Sequence, residues 1–245
     1  MTFDTSLTRN RENTLVFKGV RSIAEKSYEI AFEKPDEFQY LAGQSMKFLI
    51  DTEKRSLSCA SAPHEKELLF AFRNTGSKEK EWLLNLKEGE RVQALGPRGD
   101  FIFPEVGEAP LVFLAGGIGI APFFSMLKHA DYIHSTRRIH TVYTNRTLPF
   151  VAYRTELNIL TKQNPSFSIS YILTQENQEA FEQGRIDAER ILLLAREFPN
   201  GLFFAAGAPA FVDDMHAHLI NAGVSKEHIH SRHFTGYEEH TALEA

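Results

Sequence analysis

The chain has 245 residues, 42% of them hydrophobic, and a formal net charge of −5, which is the make-up of a globular protein with one large or two modest domains. Lys and Arg are not dense enough for a nucleic-acid footprint, and no apolar run reaches the ~20 residues that a membrane-spanning helix needs. The opening "MTFDTSLTRNRENT" has no charged start followed by an apolar core, and a single cysteine, Cys59, allows neither an internal disulfide nor a four-cysteine metal site, so the cytoplasm is the expected compartment.

In chain order, short apolar or alternating segments come first: "TLVFKGVRSI" (14–23), "SYEIAFE" (27–33), "QSMKFLI" (44–50), "RSLSCAS" (55–61), "ELLFAFRN" (67–74) and "RVQALG" (91–96). Turn-forming residues such as Pro35, Gly43, Pro63, Gly89 and Pro97 separate them. Such spacing predicts a small antiparallel β-barrel. "KEKEWLLNLK" (78–87) has apolar positions at helical spacing and predicts one helix within it.

After "FPEVGEAP" (103–110) the rhythm changes. Strand-like "LVFLAGG", "IHTVYTN", "FSISYILT", "GLFFAAG" and "HIHSRHF" alternate with helix-like "APFFSMLKHADYI", "YRTELNILTKQN", "DAERILLLAREF" and "APAFVDDMHAHLINAG". This alternation predicts an α/β domain with a five-stranded parallel sheet covered on both faces. The expected division is residues 1–104 for the barrel and 105–245 for the α/β domain.

Gly116, Gly117 and Gly119 stand where the first parallel strand hands over to a helix, with Pro122 in its first turn. Glycine suits a positive φ or a close approach to the backbone, and an anion seated on a helix N-terminus uses both. A tight turn alone would also explain them. Gly207 and Pro209 repeat the pattern after the fourth strand, on the edge where open α/β sheets bind ligands. Pro122 replaces the third glycine of Gly-x-Gly-x-x-Gly, and neither a P-loop nor a Gly-x-Ser-x-Gly elbow occurs. His216 and His218 fall on different helix faces, and His228 and His230 share a strand face without further ligands, so no metal is expected.

Taken together, "AGQSMKF" (42–48), "RSLSCASAP" (55–63), "RNTGSKEKEWL" (73–83), "GPRGDF" (96–101), "AGGIGIAP" (115–122), "YTNRT" (143–147), "QGRID" (183–187), "FFAAGAPAFVDDM" (203–215) and "HFTGY" (233–237) resemble, in order, the segments of the ferredoxin–NADP reductase superfamily. The resemblance implies a flavin-binding barrel followed by a nicotinamide-nucleotide domain, with FAD and NAD(P)H as cofactors. Arg55, Ser56, Leu57 and Ser58 match the flavin motif, with Arg55 on the diphosphate and Ser58 as the catalytic hydroxyl beside flavin N5. Phe72 would run along the flavin, Ser77 and Lys80 would add to the diphosphate site, and Tyr237 lies in the closing segment. Gly116, Gly117, Gly119 and Pro122 would form the loop under the nicotinamide nucleotide's diphosphate, Asn145 and Arg146 would border it, and Gly207 and Pro209 would face the nicotinamide.

Three positions depart from the pattern: Leu57 for an aromatic ring, Ala206 for a cysteine and Arg232 for an acidic residue. Arg146 and Arg185 lie in segments that carry 2′-phosphate cations in some relatives, whereas Gln175 cannot neutralise a phosphate, which tips the expectation toward NADH. The expected activity is a flavin-dependent oxidoreductase that passes electrons from NAD(P)H through FAD to an external acceptor: ferredoxin, another small redox protein or a small-molecule oxidant. Nucleic acid and membrane insertion are not expected. The alternative is a non-catalytic flavin- or nucleotide-binding sensor or assembly module on the same fold.

Overall fold

The computed structural model describes residues 11–50 and 53–235. Six antiparallel strands come first: β1 (Glu12–Ala24), β2 (Ser27–Glu33), β3 (Ser45–Ile50), β4 (Glu53–Ser58), β5 (Glu67–Arg73) and β6 (Arg91–Arg98). They run in the order β4-β3-β6-β1-β2-β5. The edges meet just past β4, where Cys59 bridges Phe70 and the Ala60 N–H donates to the Leu69 carbonyl at 2.7 Å. Closure removes the free strand edges. Inward-facing Phe17, Phe32, Phe48 and Phe70 fill the barrel with ring centroids 5.0 to 6.0 Å apart. Helix α1 (Lys78–Leu84) ends before the predicted Lys87, because the chain leaves helical geometry after Asn85 and turns through Gly89 at positive φ.

The second sheet is parallel: β7 (Leu111–Gly116), β8 (Ile139–Asn145), β9 (Phe167–Leu173), β10 (Glu182–Gln183), β11 (Leu202–Gly207) and β12 (Ile229–His233), in the order β10-β9-β8-β7-β11-β12. It has six strands, one more than the sequence predicts. The extra strand, β10, is two exposed residues on the sheet edge, too short and too polar to show a period. By contrast β7, buried along nearly its whole length, reads as the continuous apolar run expected of a central parallel strand.

Helices α2 (Ile120–Tyr132) and α3 (Arg154–Gln163) cover one face, and α4 (Ala188–Glu197) and α5 (Pro209–Asn221) the other. Phe123, Met126 and Leu157 share the first core with Ala60, Ala71 and Phe101 from the barrel side. A polar seam reinforces this join. The buried Tyr153 hydroxyl donates to Glu29 of β2 at 2.8 Å, and Arg21 holds the same carboxylate at 2.7 Å. No helix among the described residues is long and apolar enough to cross a membrane.

Candidate functional site

Strand order reverses between β7 and β11, and there the loops after the two strands diverge. Such a divergence opens a crevice beyond the carboxyl ends of the strands. The crevice here is a cleft of about 230 Å³ floored by Gly116 to Gly119 and Gly207. Gly117 adopts φ +54°. A Cβ on Gly119 would lie 2.1 Å from the Ala206 carbonyl oxygen, and one on Gly116 would lie 2.8 Å from the Phe211 ring. The glycines therefore let the loop lie flat on β11 and keep the floor open.

Polar walls surround that floor. Thr144 and Asn145 end β8 inside the cleft, and Arg146 follows at the rim. Asn145 is 5% exposed, yet neither polar atom of its side chain has a hydrogen bond among the described residues, and the Thr144 hydroxyl has none either. The nearby Tyr143 hydroxyl feels Asn145 without bonding it in good alignment and accepts instead from the Ala152 N–H at 3.1 Å. Leaving such groups unpaired costs about 1–3 kcal/mol each, so this wall is built for a polar ligand. Arg73 enters from β5, stacked over Phe150 with 4.7 Å to its ring centre, so the barrel contributes to the cleft.

A second cleft, of about 260 Å³, opens between β4 and β12. Lys47, Lys54, Arg55 and Arg232 line it with Ser56 and Ser58. Four of its lining residues carry cationic side chains, and Glu79 offsets one of them, Arg55. Burial lowers the pKa of Arg232, and the same burial pushes the adjacent Cys59 thiol up to about 12, which makes it an unreactive neighbour. Phe234 lines both clefts, so the two are neighbours across one ring.

Arg55 reaches from the second cleft to α1, where its guanidinium meets the Glu79 carboxylate at 3.2 Å. Lys80 is 4% exposed and donates to the Thr75 hydroxyl at 3.0 Å. Burial, then repulsion from Arg55, lowers its pKa to about 8. Ser77 precedes α1 beside this group.

Residues 113–217 match the family model of the oxidoreductase NAD-binding domain. The flavohemoprotein of Rhodopirellula baltica is 25% identical over 197 residues, 76% of this chain and 48% of the relative. The ferredoxin reductase component of 3-ketosteroid-9-alpha-monooxygenase from Rhodococcus rhodochrous is 27% identical over 84% of this chain and 60% of its own length. The flavohem-like FAD/NAD binding domain of nitric oxide dioxygenase from Vibrio cholerae superposes with a TM-score of 0.79 at 20% identity, covering 91% of this chain and 99% of that domain. The chain shares its fold with this domain and with the ferredoxin NADP+ reductase of Neisseria gonorrhoeae, which superposes with a TM-score of 0.76 at 17% identity. The chain spans about half or less of the length of the flavohemoproteins that it matches.

Within this ferredoxin–NADP reductase fold the anticipated site residues separate. Gly116, Gly117, Gly119, Asn145, Arg146 and Gly207 lie together in the first cleft, and Arg55, Ser56 and Ser58 in the second. Ser77 and Lys80 flank the Arg55–Glu79 pair. Four others also stay off both cleft linings. Leu57 turns into the barrel core, because alternation along β4 sends its side chain opposite to Ser56 and Ser58. Phe72 is fully buried in that same core, and Pro122 is buried in the first turn of α2. Pro209 begins α5, with Ala208 rather than Pro209 on the lining. Tyr237 lies outside the described residues. Arg185 is exposed and lines neither cleft.

Several cleft residues carry no sequence signal of their own. Arg73 and Phe234 arrive from different sheets, and only the closed barrel and the reversed strand order bring them to one opening. Thr144 was legible in principle, as the neighbour of Asn145 at a strand end.

Proposed function

We propose that the chain is an NAD(P)H-dependent flavoprotein reductase that takes the nicotinamide nucleotide in the glycine-floored cleft and FAD in the basic one. The observation that carries this reading is the adjacency of the two clefts at Phe234, one floored for a close-lying anion and the other lined by four cations. Flavin and nicotinamide supply the hydride chemistry themselves, so the chain's part is to bind, orient and exclude water.

The glycine floor admits a diphosphate against the backbone, and Arg73 and Arg146 supply the countercharge. Asn145 and Thr144 offer their unpaired donors and acceptors to the polar part of the nucleotide. In the basic cleft, Arg55 has the planar fork that suits a diphosphate, and Arg232 stabilises negative charge at the opposite end. Ser58, 3% exposed, presents the hydroxyl that hydrogen-bonds the reacting edge of the flavin. NADH is the preferred donor. The reasons are that Gln175 cannot neutralise a 2′-phosphate and that the next residue, Glu176, which accepts from the Leu148 N–H at 2.7 Å, adds no cation. The acceptor is external, a small redox protein such as a ferredoxin or a diffusible oxidant. The similarity to the ferredoxin reductase component of 3-ketosteroid-9-alpha-monooxygenase supports that class.

The test is anaerobic stopped-flow mixing of the FAD-loaded chain with NADH and NADPH. Flavin bleaching that is faster with NADH is the expected result. Flavin that binds but stays inert would instead mark a sensor or assembly module, and a chain that takes up no flavin at all would sink the reading.

A further inference from the structure

Two arginines line the basic cleft, and the fold treats them differently. Arg55 meets the Glu79 carboxylate at 3.2 Å. Arg232, half-buried, makes no hydrogen bond or ion pair with the described residues. The carboxylate whose charge it feels, Asp100, is not in contact with it, Arg98 opposes it, and the adjacent Cys59 is a neutral thiol. Its place is nevertheless built. Gly99 has φ +99°, and a Cβ there would lie 2.9 Å from Arg232 Nη1, so the turn after β6 leaves room for the guanidinium. Along β12 Arg232 pairs with Ala206, and the next residue, His233, pairs with Gly207, whose backbone floors the first cleft. Phe234, one residue further, lines both clefts. Arg232 therefore stands where the basic cleft adjoins the glycine-floored one, whereas Arg55 reaches to α1.

A half-buried guanidinium without a counter-ion carries a desolvation cost that nothing in the chain offsets. On the flavin reading above, on which this inference rests, the missing charge arrives with electrons. A hydride brings two electrons and one proton, so its transfer from NADH to FAD releases NAD+ and turns a neutral ring system into a monoanion. A cation nearby favours the charged form over the neutral one. For a hydride to pass between the clefts the two rings must meet where the clefts adjoin, and Arg232 occupies that end. We propose that Arg232 sets the redox poise of the basic cleft: it favours the reduced, anionic flavin over the oxidised, neutral one. The reduced chain is then a weaker reductant, and the acceptor that suits it is an oxidant well above the nicotinamide couple.

The experiment equilibrates the FAD-loaded full chain with a reference dye under anaerobic conditions and reads the reduced-to-oxidised ratio of the bound flavin by absorbance. Affinity for oxidised FAD is titrated separately by fluorescence. Arg232→Gln and Arg232→Met remove the charge, the second keeping the test open should the first fold poorly. Arg232→Lys keeps the charge, and Lys54→Gln removes an exposed cation from the same cleft. At one dye setting, wild-type bound FAD is expected to be more reduced than free FAD. Both neutral variants are expected to lower its reduced-to-oxidised ratio about tenfold, with a much smaller change in affinity for oxidised FAD. Arg232→Lys should restore most of the ratio, and Lys54→Gln should leave it in place. The proposal is overturned, with the flavin reading intact, if bound FAD is no more reduced than free FAD or if the neutral variants leave the ratio unmoved. It is equally overturned if Arg232→Lys falls as far as Arg232→Gln, or if Lys54→Gln lowers the ratio as much. A chain that binds no FAD in any form, wild type included, would defeat the flavin reading and this proposal with it.

Discussion

Gly119 shows how much a single hydrogen can decide. Its Cα lies so near β11 that an added methyl would sit 2.1 Å from the Ala206 carbonyl oxygen and 2.5 Å from its carbon, and neither backbone atom can step aside. Gly119→Ala is expected to cost about 3 kcal/mol, the upper end of overpacking, read from urea unfolding, and to abolish NADH binding in whatever fraction stays folded. Lys80 is a second residue whose effect is measurable. Its folded pKa is lowered to about 8, below the ordinary lysine value, because burial and Arg55 disfavour the cation. The unfolded chain binds more protons between pH 8 and the ordinary value near 10.4, so unliganded stability rises with pH across that window. Under the proposed flavin reading, phosphate binding has the opposite sign: the Lys80 cation is present below about pH 8 and is lost as the proton leaves. FAD affinity measured from pH 7 to 9.5 should therefore weaken on the alkaline side, riboflavin affinity should stay level, and Lys80→Gln should flatten the FAD profile.

At the scale of elements, β8 makes the clearest trade between fold and site. A strand end that served only packing would pair or expose its polar side chains, yet Asn145 is buried with both side-chain polar atoms unpaired. Removing them in Asn145→Ala deletes a desolvation cost of about 1–3 kcal/mol and forfeits a small amount of packing. Thermal unfolding of the unliganded variant is thus expected at or above the wild-type temperature, while NADH affinity falls about tenfold, the factor 1.4 kcal/mol represents. Were Asn145 merely structural, the melting temperature would drop and affinity would follow it. The same strand illustrates what the sequence makes legible. The apolar run of β7, the alternation in β2 and β5 and the amphipathic α4 all declare their period, so the barrel, the alternating second half and the glycine edge can be read from residues alone. The edge strand β10 and the early end of α1 cannot, because two polar residues and a last helical turn have no period to show. Leu57 and Phe72 stay off the cleft linings for another reason. Motif adjacency places them beside Ser58 and Arg73, but the two-residue period of a strand turns their side chains to the barrel core.

For the whole molecule, the deciding feature is that each cleft borrows from the other sheet: Arg73 of the barrel enters the glycine-floored cleft, and Arg232 of the parallel sheet enters the basic one. Such borrowing is invisible in a linear sequence, and it works only if the two sheets are held at a fixed separation. Tyr153 is the peg. It is 1% exposed, its φ of +57° is costly for a bulky residue, and its ring stacks on Phe124 at 4.2 Å while its hydroxyl crosses to Glu29. Burial, then the Glu29 carboxylate, raises its pKa well above the ordinary tyrosine value, so it remains a proton donor throughout the working range. Tyr153→Phe keeps the stack and removes one hydrogen bond to a charged acceptor, worth about 1.5–3 kcal/mol. It leaves Glu29, itself 4% exposed, with Arg21 as its remaining side-chain partner. If the peg fixes the spacing of the clefts, the variant loses that stability and also transfers hydride more slowly at saturating NADH and FAD, because orientation and not affinity has been loosened. A variant that melts earlier but reduces flavin at the wild-type saturated rate would show that Tyr153 supports the join without setting its geometry.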